Sequence, residues 1–238
     1  RDRRNHDGLG AMQYGNFINY YTFHSAKERT GNLHSSMFPA PLTNEAIVCL
    51  DIGCNTGELT KDLFQYLETV VYPKSEIKIL GVDIDPILIK RAKEENDIYN
   101  ISYISLDITY SKEQNIIKEY LSSNNKQKFD IIFCFSVTMW IHINNGDEGL
   151  EEFLKYIKSL TRSILIEPQP WKCYRNARRR VRRAGRDFPL YDALKIRIDV
   201  DKVIENILVQ NDMIKVYESS TSSWDRRIQS FHSSNLVE

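Results

Sequence analysis

Residues 51–57 read D-I-G-C-N-T-G and follow directly on the apolar run 46–50. A buried strand that breaks into a glycine-containing turn and then a helix brings backbone close to whatever lies above the strand. In open α/β sheets that is where ligands bind. Gly53 and Gly57 lack the Cβ that would block such an approach. Asp51 falls at the strand's carboxyl end. The segment therefore predicts a cofactor cleft above the first strand of an α/β domain.

The chain beyond it alternates in the same manner. Strands are expected at 47–51, 77–83, 101–106, 131–135 and 164–166. Helices are expected at 58–67, from Pro86 onward, at 112–121 and at 146–160, with proline suiting a first helical turn. Short, continuously apolar strands separated by helices argue for a parallel sheet covered on both faces. After the fifth strand come E-P-Q-P-W and a helix dense in arginine, then a helix at 203–208. Segments 214–219 and 227–231 read as a closing antiparallel pair. A parallel sheet closed by an antiparallel strand fits Rossmann-like methyltransferases better than most dehydrogenases. The expected organisation is a lead, 1–45, packing over the cleft, and one domain, 46–238, with a basic helical insertion at 172–210.

With 238 residues, 42% hydrophobic and 27% charged, the chain suits one well-buried domain. Basic and acidic residues number 32 each, so net charge implies no polyanion partner, though its distribution still can. Cys49, Cys54, Cys134 and Cys173 form no C-x-x-C pair, and the expectation is reduced, packed thiols of an intracellular protein. No apolar run approaches the ~20 residues of a membrane span, and no signal peptide is visible. No cysteine–histidine cluster suggests a metal.

Three carboxylates at successive strand ends shape the choice of cofactor. Gly53, Asn55 and Gly57 depart from the three-glycine dinucleotide pattern, and Asn55 tolerates a left-handed backbone while offering an amide. Asp83, in G-V-D-I-D-P, is placed to accept both ribose hydroxyls of an adenosine, whether in NAD or in S-adenosylmethionine. Asp107 is placed to accept from an adenine amino group, with Ile108 covering the ring.

Four segments carry a family resemblance: Y-G-N-F at 14–17, D-I-G-C-N-T-G, S-V-T-M-W-I-H-I-N-N-G-D-E-G-L at 136–150, and E-P-Q-P-W at 167–171. Together the chain resembles the Bicoid-interacting, methylphosphate-capping family of RNA methyltransferases. The wording is nearest to its RNA 5′-monophosphate branch. That resemblance implies a class I S-adenosylmethionine-dependent fold methylating a terminal phosphate oxygen at an RNA 5′ end, in histidine transfer RNA or microRNA precursors. It implies cofactor contacts from Arg29, Asn55, Asp83, Asp107, Ile108 and Phe135, with Arg29 holding the methionine carboxylate. Triphosphate-directed relatives tend to carry lysine where this chain has Met139, consistent with a less charged substrate.

The chemistry asks little of a base. A phosphate monoester has a second pKa near ~6 and is already anionic near neutral pH. The protein must align oxygen, methyl carbon and sulfur, which can lower a barrier by roughly 7–11 kcal/mol. Neutral donors suit that task, and Tyr14, Asn16, His142 and Asn144 are the candidates. Glu167, at the end of the fifth strand, is expected to position neighbouring donors, because a carboxylate would repel phosphate. His142 and Asn144 have a plainer reading as caps of a helix beginning near Gly146.

Lys172, Arg175, Arg178, Arg179 and Arg182 are the candidate RNA contacts, giving salt-sensitive affinity that is largely independent of sequence. Asp187, Asp192, Asp199 and Asp201 nearby leave open a merely solvated helix face. The leading expectation is an S-adenosylmethionine-dependent enzyme acting on 5′-monophosphate RNA, monomeric and cytoplasmic, with presence in the nucleus open. The rivals are a triphosphate- or small-acid-directed methyltransferase and an RNA-end-binding protein with little catalysis.

Overall fold

The computed structural model describes residues 8–42 and 44–236. Residues 1–7, the first part of the predicted lead, lie outside the described residues. The remainder of that lead forms α1 (Gly8–Tyr14), α2 (Tyr20–Phe23) and α3 (Ala26–Gly31). The core then alternates β1 (Ile47–Ile52), α4 (Glu58–Tyr66), β2 (Ile77–Asp83), α5 (Pro86–Glu95) and β3 (Ile101–Ser105). It continues with α6 (Gln114–Ser123), β4 (Ile131–Phe135), α7 (Thr138–Leu160) and β5 (Ser163–Glu167). The final elements are α8 (Trp171–Arg183), α9 (Val200–Val209), β6 (Met213–Glu218) and β7 (Gln229–Ser233).

The strands form one sheet in the order β3-β2-β1-β4-β5-β7-β6. The pairs from β3 through β5 are parallel, and β7 runs antiparallel to both β5 and β6. All six residues of β1 are buried, as a strand covered on both faces requires. Its side chains alternate between two cores. Val48 and Leu50 join the helices α6 to α9, and Ile47 and Cys49 join α4, α5 and the lead. The chain leaves β1 toward β2 on one side and β4 lies on the other. The order reverses there, and the crevice opens above the ends of these strands.

Local chemistry sets the helix starts. The Asp85 carboxylate accepts from Ile87 N at 2.9 Å, and Pro86 opens α5. The largest departure from the sequence expectation is α7, which begins at Thr138 rather than near Gly146. Gly146 is a kink inside it, with φ of +80°. The T-M-W-I-H-I run is helical because its Met139, His142 and Ile143 are buried on the core side. His142 and Asn144 are therefore interior helix residues rather than caps.

Candidate active site

Above the sheet's carboxyl edge lies a cavity of about 330 Å³, at the lower end of the range for small-molecule sites. Its floor is built from the ends of β1 to β4. Its cover comes from the lead, through Tyr14 to Asn16, Tyr20 and Arg29, and from Leu190 beyond α8. Arg29, Asp51, Gly53, Asn55, Asp83, Asp107, Ile108 and Phe135 all line it, together with Tyr14, Asn16 and Asn144.

The turn after β1 is fixed from within. Gly53 has φ of +75°, and a Cβ there would meet Val137 Cγ2 at 2.3 Å. Asn55 adopts the left-handed region at φ +52°. Its amide is committed to the protein rather than offered to a ligand: Nδ2 donates to Phe17 O at 2.8 Å and Oδ1 accepts from Thr56 N at 2.8 Å. Asn55 thereby ties the lead to the turn. Gly57 does not line the cavity. Its Cβ would fall 2.4 Å from the Tyr103 hydroxyl, so its role is close packing at the start of α4.

The carboxylates are held in different ways. Asp51 is buried and accepts from Thr60 Oγ1 at 2.6 Å. Burial pushes it up to about 7, although the Thr60 bond opposes the shift. Asp83 accepts from Asn55 N at 2.9 Å and from Asp85 N at 3.0 Å. Burial pushes it up to about 6 against those two bonds. Asp107 accepts from Thr109 N and Oγ1.

Arg29 and Glu167 form the electrostatic centre. Glu167 Oε1 accepts from Arg29 Nη2 at 2.8 Å and Oε2 accepts from Nε at 3.1 Å. Ser136 Oγ donates to Glu167 Oε1 at 2.6 Å and accepts from Arg29 Nη2 at 2.7 Å. Tyr20 takes a further bond from the same nitrogen. Burial raises the Glu167 carboxyl, but the Arg29 guanidinium more than compensates and holds it below its ordinary value. Burial works against the charge of Arg29, yet Glu167 leaves it above its ordinary value. Glu167 itself does not line the cavity among the described residues, and its carboxylate serves Arg29.

These residues fit S-adenosylmethionine. Arg29 Nη1 is a buried donor with no hydrogen-bond partner among the described residues, and the methionine carboxylate is the anion that would satisfy it. Asp83, fixed by two backbone N–H groups, would accept from the ribose, and Asp107 with Ile108 would hold the adenine.

Other sequence candidates fall elsewhere. His142 is fully buried on the core side of α7 and does not line the cavity. Its Nδ1 lies 2.7 Å from Tyr174 Oη and its Nε2 lies 2.7 Å from Asp147 Oδ1. Burial keeps its pKa below the ordinary histidine value despite Asp147. With both nitrogens committed, it is no phosphate donor here; it joins α7 to α8. Met139 is also buried in the core, so its side chain does not face the cleft.

The basic candidates divide as well. Lys172 pairs with Asp225, Arg178 with Asp187 and Asp192, and Arg182 with Asp187. Arg175 and Arg179 are exposed and make no ion pair among the described residues, and Arg183 shares that condition. Ser136 and Arg226 were not legible as site residues. Ser136 stands one position beyond β4 with φ of +58°, a conformation costly for a non-glycine residue and characteristic of functional positions. Arg226 reaches it from far along the chain and leaves no local signal.

This strand order, with a glycine turn after β1 and carboxylates above β2 and β3, defines a Rossmann-like methyltransferase. A methyltransferase-domain family model matches residues 50–163, and one described as Bicoid-interacting protein 3 matches residues 129–233. The human RNA 5′-monophosphate methyltransferase is 38% identical over 243 residues, covering 96% of this chain and 83% of that protein. The Xenopus laevis pre-miRNA 5′-monophosphate methyltransferase is 40% identical over 240 residues, covering 95% and 94%. The chain belongs to the Bicoid-interacting protein 3 family. Among solved structures, the N-methyltransferase NodS from Bradyrhizobium japonicum, in complex with S-adenosyl-L-homocysteine, shares the fold. Its TM-score is 0.51 and its identity 15%, over 98% of this chain and 95% of that one.

Proposed function

We propose that this protein methylates the 5′-monophosphate of RNA. The observation that carries the reading, beside the names of its relatives, is the chemistry of the cleft wall. Tyr14, Asn144 and Asn16, whose Nδ2 donates to Asp85 at 2.6 Å, line the cavity beside Arg29, whereas His142 is sealed on the core side of α7 and no histidine lines the cavity among the described residues. The lining carboxylates Asp51, Asp83 and Asp107 are engaged by Thr60, by Asn55 N and by Thr109, and a cleft with no histidine beside them suits a nucleophile that is already an anion. A phosphate monoester oxygen meets that condition near neutral pH.

S-adenosylmethionine, when bound, supplies an electrophilic methyl group on a sulfonium sulfur. The protein's own part is placement. Arg29, locked by Glu167 and Ser136, fixes the methionine end, and Asp83 and Asp107 fix the adenosine end. The amide of Asn144 already donates to Gln13 O and Trp140 O, both at 2.8 Å, so it joins the lead to α7 along the cleft. Outside the cleft, Arg175, Arg179 and Arg183 offer unpaired guanidinium groups to the RNA backbone.

The test uses labelled S-adenosylmethionine and one hairpin RNA bearing a 5′-monophosphate, 5′-triphosphate or 5′-hydroxyl. Label should enter the monophosphate form alone. Transfer to the triphosphate instead would move the substrate assignment, and transfer to the hydroxyl form would end it.

A further inference from the structure

Four nitrogen atoms shielded from solvent beside the Arg29–Glu167 pair have no hydrogen-bond partner among the described residues: Arg29 Nη1, Arg226 Nε, His24 Nδ1 and Trp224 Nε1. Stranded polar atoms of this kind are rare in folded proteins, and each calls for an explanation. These four belong to one cluster. The Arg29 guanidinium carbon lies 5.2 Å from the Tyr20 ring centre and 5.0 Å from that of Trp224. His24 stacks on Tyr20 at 4.8 Å and meets Trp224 edge-on at 5.1 Å. Arg226 Nη1 donates to Ser136 Oγ, the hydroxyl that Arg29 also uses, and stands 3.7 Å from Glu167 Oε1.

At Ser136 two guanidinium groups face the single Glu167 carboxylate, while Glu28 acts on His24 from the exposed rim, where it accepts from Ser223. Burial first, then Arg226 and Arg29, push the pKa of His24 down to about 4 against the opposing pull of Glu167 and Glu28. One methionine carboxylate would satisfy Arg29 Nη1 and still leave Arg226 Nε, Trp224 Nε1 and the tautomer-dependent His24 Nδ1 unmatched. Those three do not line the cofactor cavity; they adjoin it through Arg29 and Ser136, which do.

We infer that Arg226, Trp224 and His24 form an oxyanion site for the terminal phosphate of the RNA, reached by movement of the connection between β6 and β7. A phosphate offers several acceptor oxygens, and the unmatched donors are neutral indole and imidazole groups around one guanidinium. That mixture can orient a phosphate without neutralising the oxygen that must attack. Apart from the contacts that Arg226 and Trp224 make within the cluster, the connection is held to the rest of the protein by exposed contacts. Ser223 N and Oγ each donate to Glu28 at 2.8 Å, and Asp225 pairs with Lys172. Exposed contacts of this type contribute little and yield readily to a competing anion.

This inference rests on the 5′-phosphate reading above, and the test separates the two. Arg226→Gln, and Trp224→Phe, which keeps a ring over Arg29 but removes the N–H, are compared with the unaltered chain. The measurements are S-adenosyl-L-homocysteine affinity by calorimetry, KM for a 5′-monophosphate hairpin, and the affinity ratio of 5′-phosphate to 5′-hydroxyl hairpins. The unaltered chain must favour the 5′-phosphate hairpin; if it does not, the substrate reading itself has failed. Given that preference, R226Q should raise KM roughly tenfold or more, the size expected for a lost bond to a charged group. It should also erase the 5′-phosphate preference and leave cofactor affinity within about twofold. W224F should move the same quantities in the same direction by less, and it carries the test alone if R226Q fails to fold. Loss of cofactor affinity with the phosphate preference intact would assign the cluster to the methionine carboxylate and overturn the inference. Unchanged values throughout would overturn it equally.

Discussion

Arg29 and Glu167, 138 positions apart in the chain, make an ion pair in which Nε and Nη2 both donate to the carboxylate, with each side chain 1% exposed. The pair fastens the lead to the end of β5 and so assembles the cleft from segments far apart in the sequence. Removing one partner of a buried pair leaves the other charge stranded, at a cost of about 3–5 kcal/mol. Glu167→Gln should therefore lower the thermal midpoint and weaken S-adenosyl-L-homocysteine binding together. Arg29→Lys should not restore binding to Glu167, because an ammonium cannot reproduce the fork of the guanidinium. Thermal unfolding and calorimetry on the same samples decide it, and a Glu167→Gln protein with unaltered affinity would refute the positioning role.

Arg175, Arg179 and Arg183 follow one another at intervals of four along α8, a row about 12 Å long at the helical rise. Arg178 is engaged by Asp187 and Asp192 and lies over the Tyr191 ring at 4.2 Å. RNA affinity measured against salt should separate the two groups. Replacing the three unpaired arginines by glutamine should flatten the log–log salt slope by roughly 2–3, one step per phosphate contact, at unchanged thermal midpoint. Arg178→Gln should lower the midpoint and leave the slope alone. The reverse pattern would put the RNA on the paired face.

Much of this was legible because it is local. Apolar runs ending in Asp51, Asp83 and Leu106 predicted strands that the structure contains within a residue or two, and the antiparallel closing pair is present. The cofactor side of the cleft could be read because each strand end in a parallel sheet carries its own residues to the same edge. The start of α7 was missed because Gly146 reads as a helix boundary, whereas the fold absorbs it as a kink. His142 was misassigned for the same reason, since a helix start set at Gly146 left it in a connecting segment rather than on the buried side of α7. Arg226, Trp224 and the paired state of Arg178 arise from long-range contacts, which no local pattern encodes.

Ionised Asp83 is the form suited to accept ribose hydroxyls, and burial sets its pKa at about 6. Affinity for S-adenosyl-L-homocysteine should thus be flat at higher pH and fall as pH drops through 6, by about tenfold per pH unit once protonation dominates. Asp83→Asn should bind weakly at every pH, with this transition absent. Calorimetric titrations from pH 5 to pH 8 test both curves, and a wild-type affinity independent of pH would exclude Asp83 from that contact.

Asp51 offers a separate test, in stability rather than binding. Its folded pKa of about 7 lies above the ordinary aspartate value of 3.8, so between these limits the folded state holds a proton that the unfolded chain has released. Stability from this group is fully present below pH 3.8 and is lost as pH rises toward and through 7. At pH 8 the ionised carboxylate costs the fold a few kcal/mol at most, since each tenfold change in proton affinity is worth ~1.4 kcal/mol. Asp51→Asn keeps an acceptor for Thr60 and carries no charge, so it should stabilise the ligand-free protein at pH 8 and do so much less at pH 5. Urea unfolding of both proteins at the two pH values measures the difference. The same substitution should lower methyl transfer, since the residue lines the cavity at the end of β1. A gain in stability coupled to a loss of activity marks a side chain retained for the site rather than for the fold. Equal effects at the two pH values would show that Asp51 does not titrate in this range.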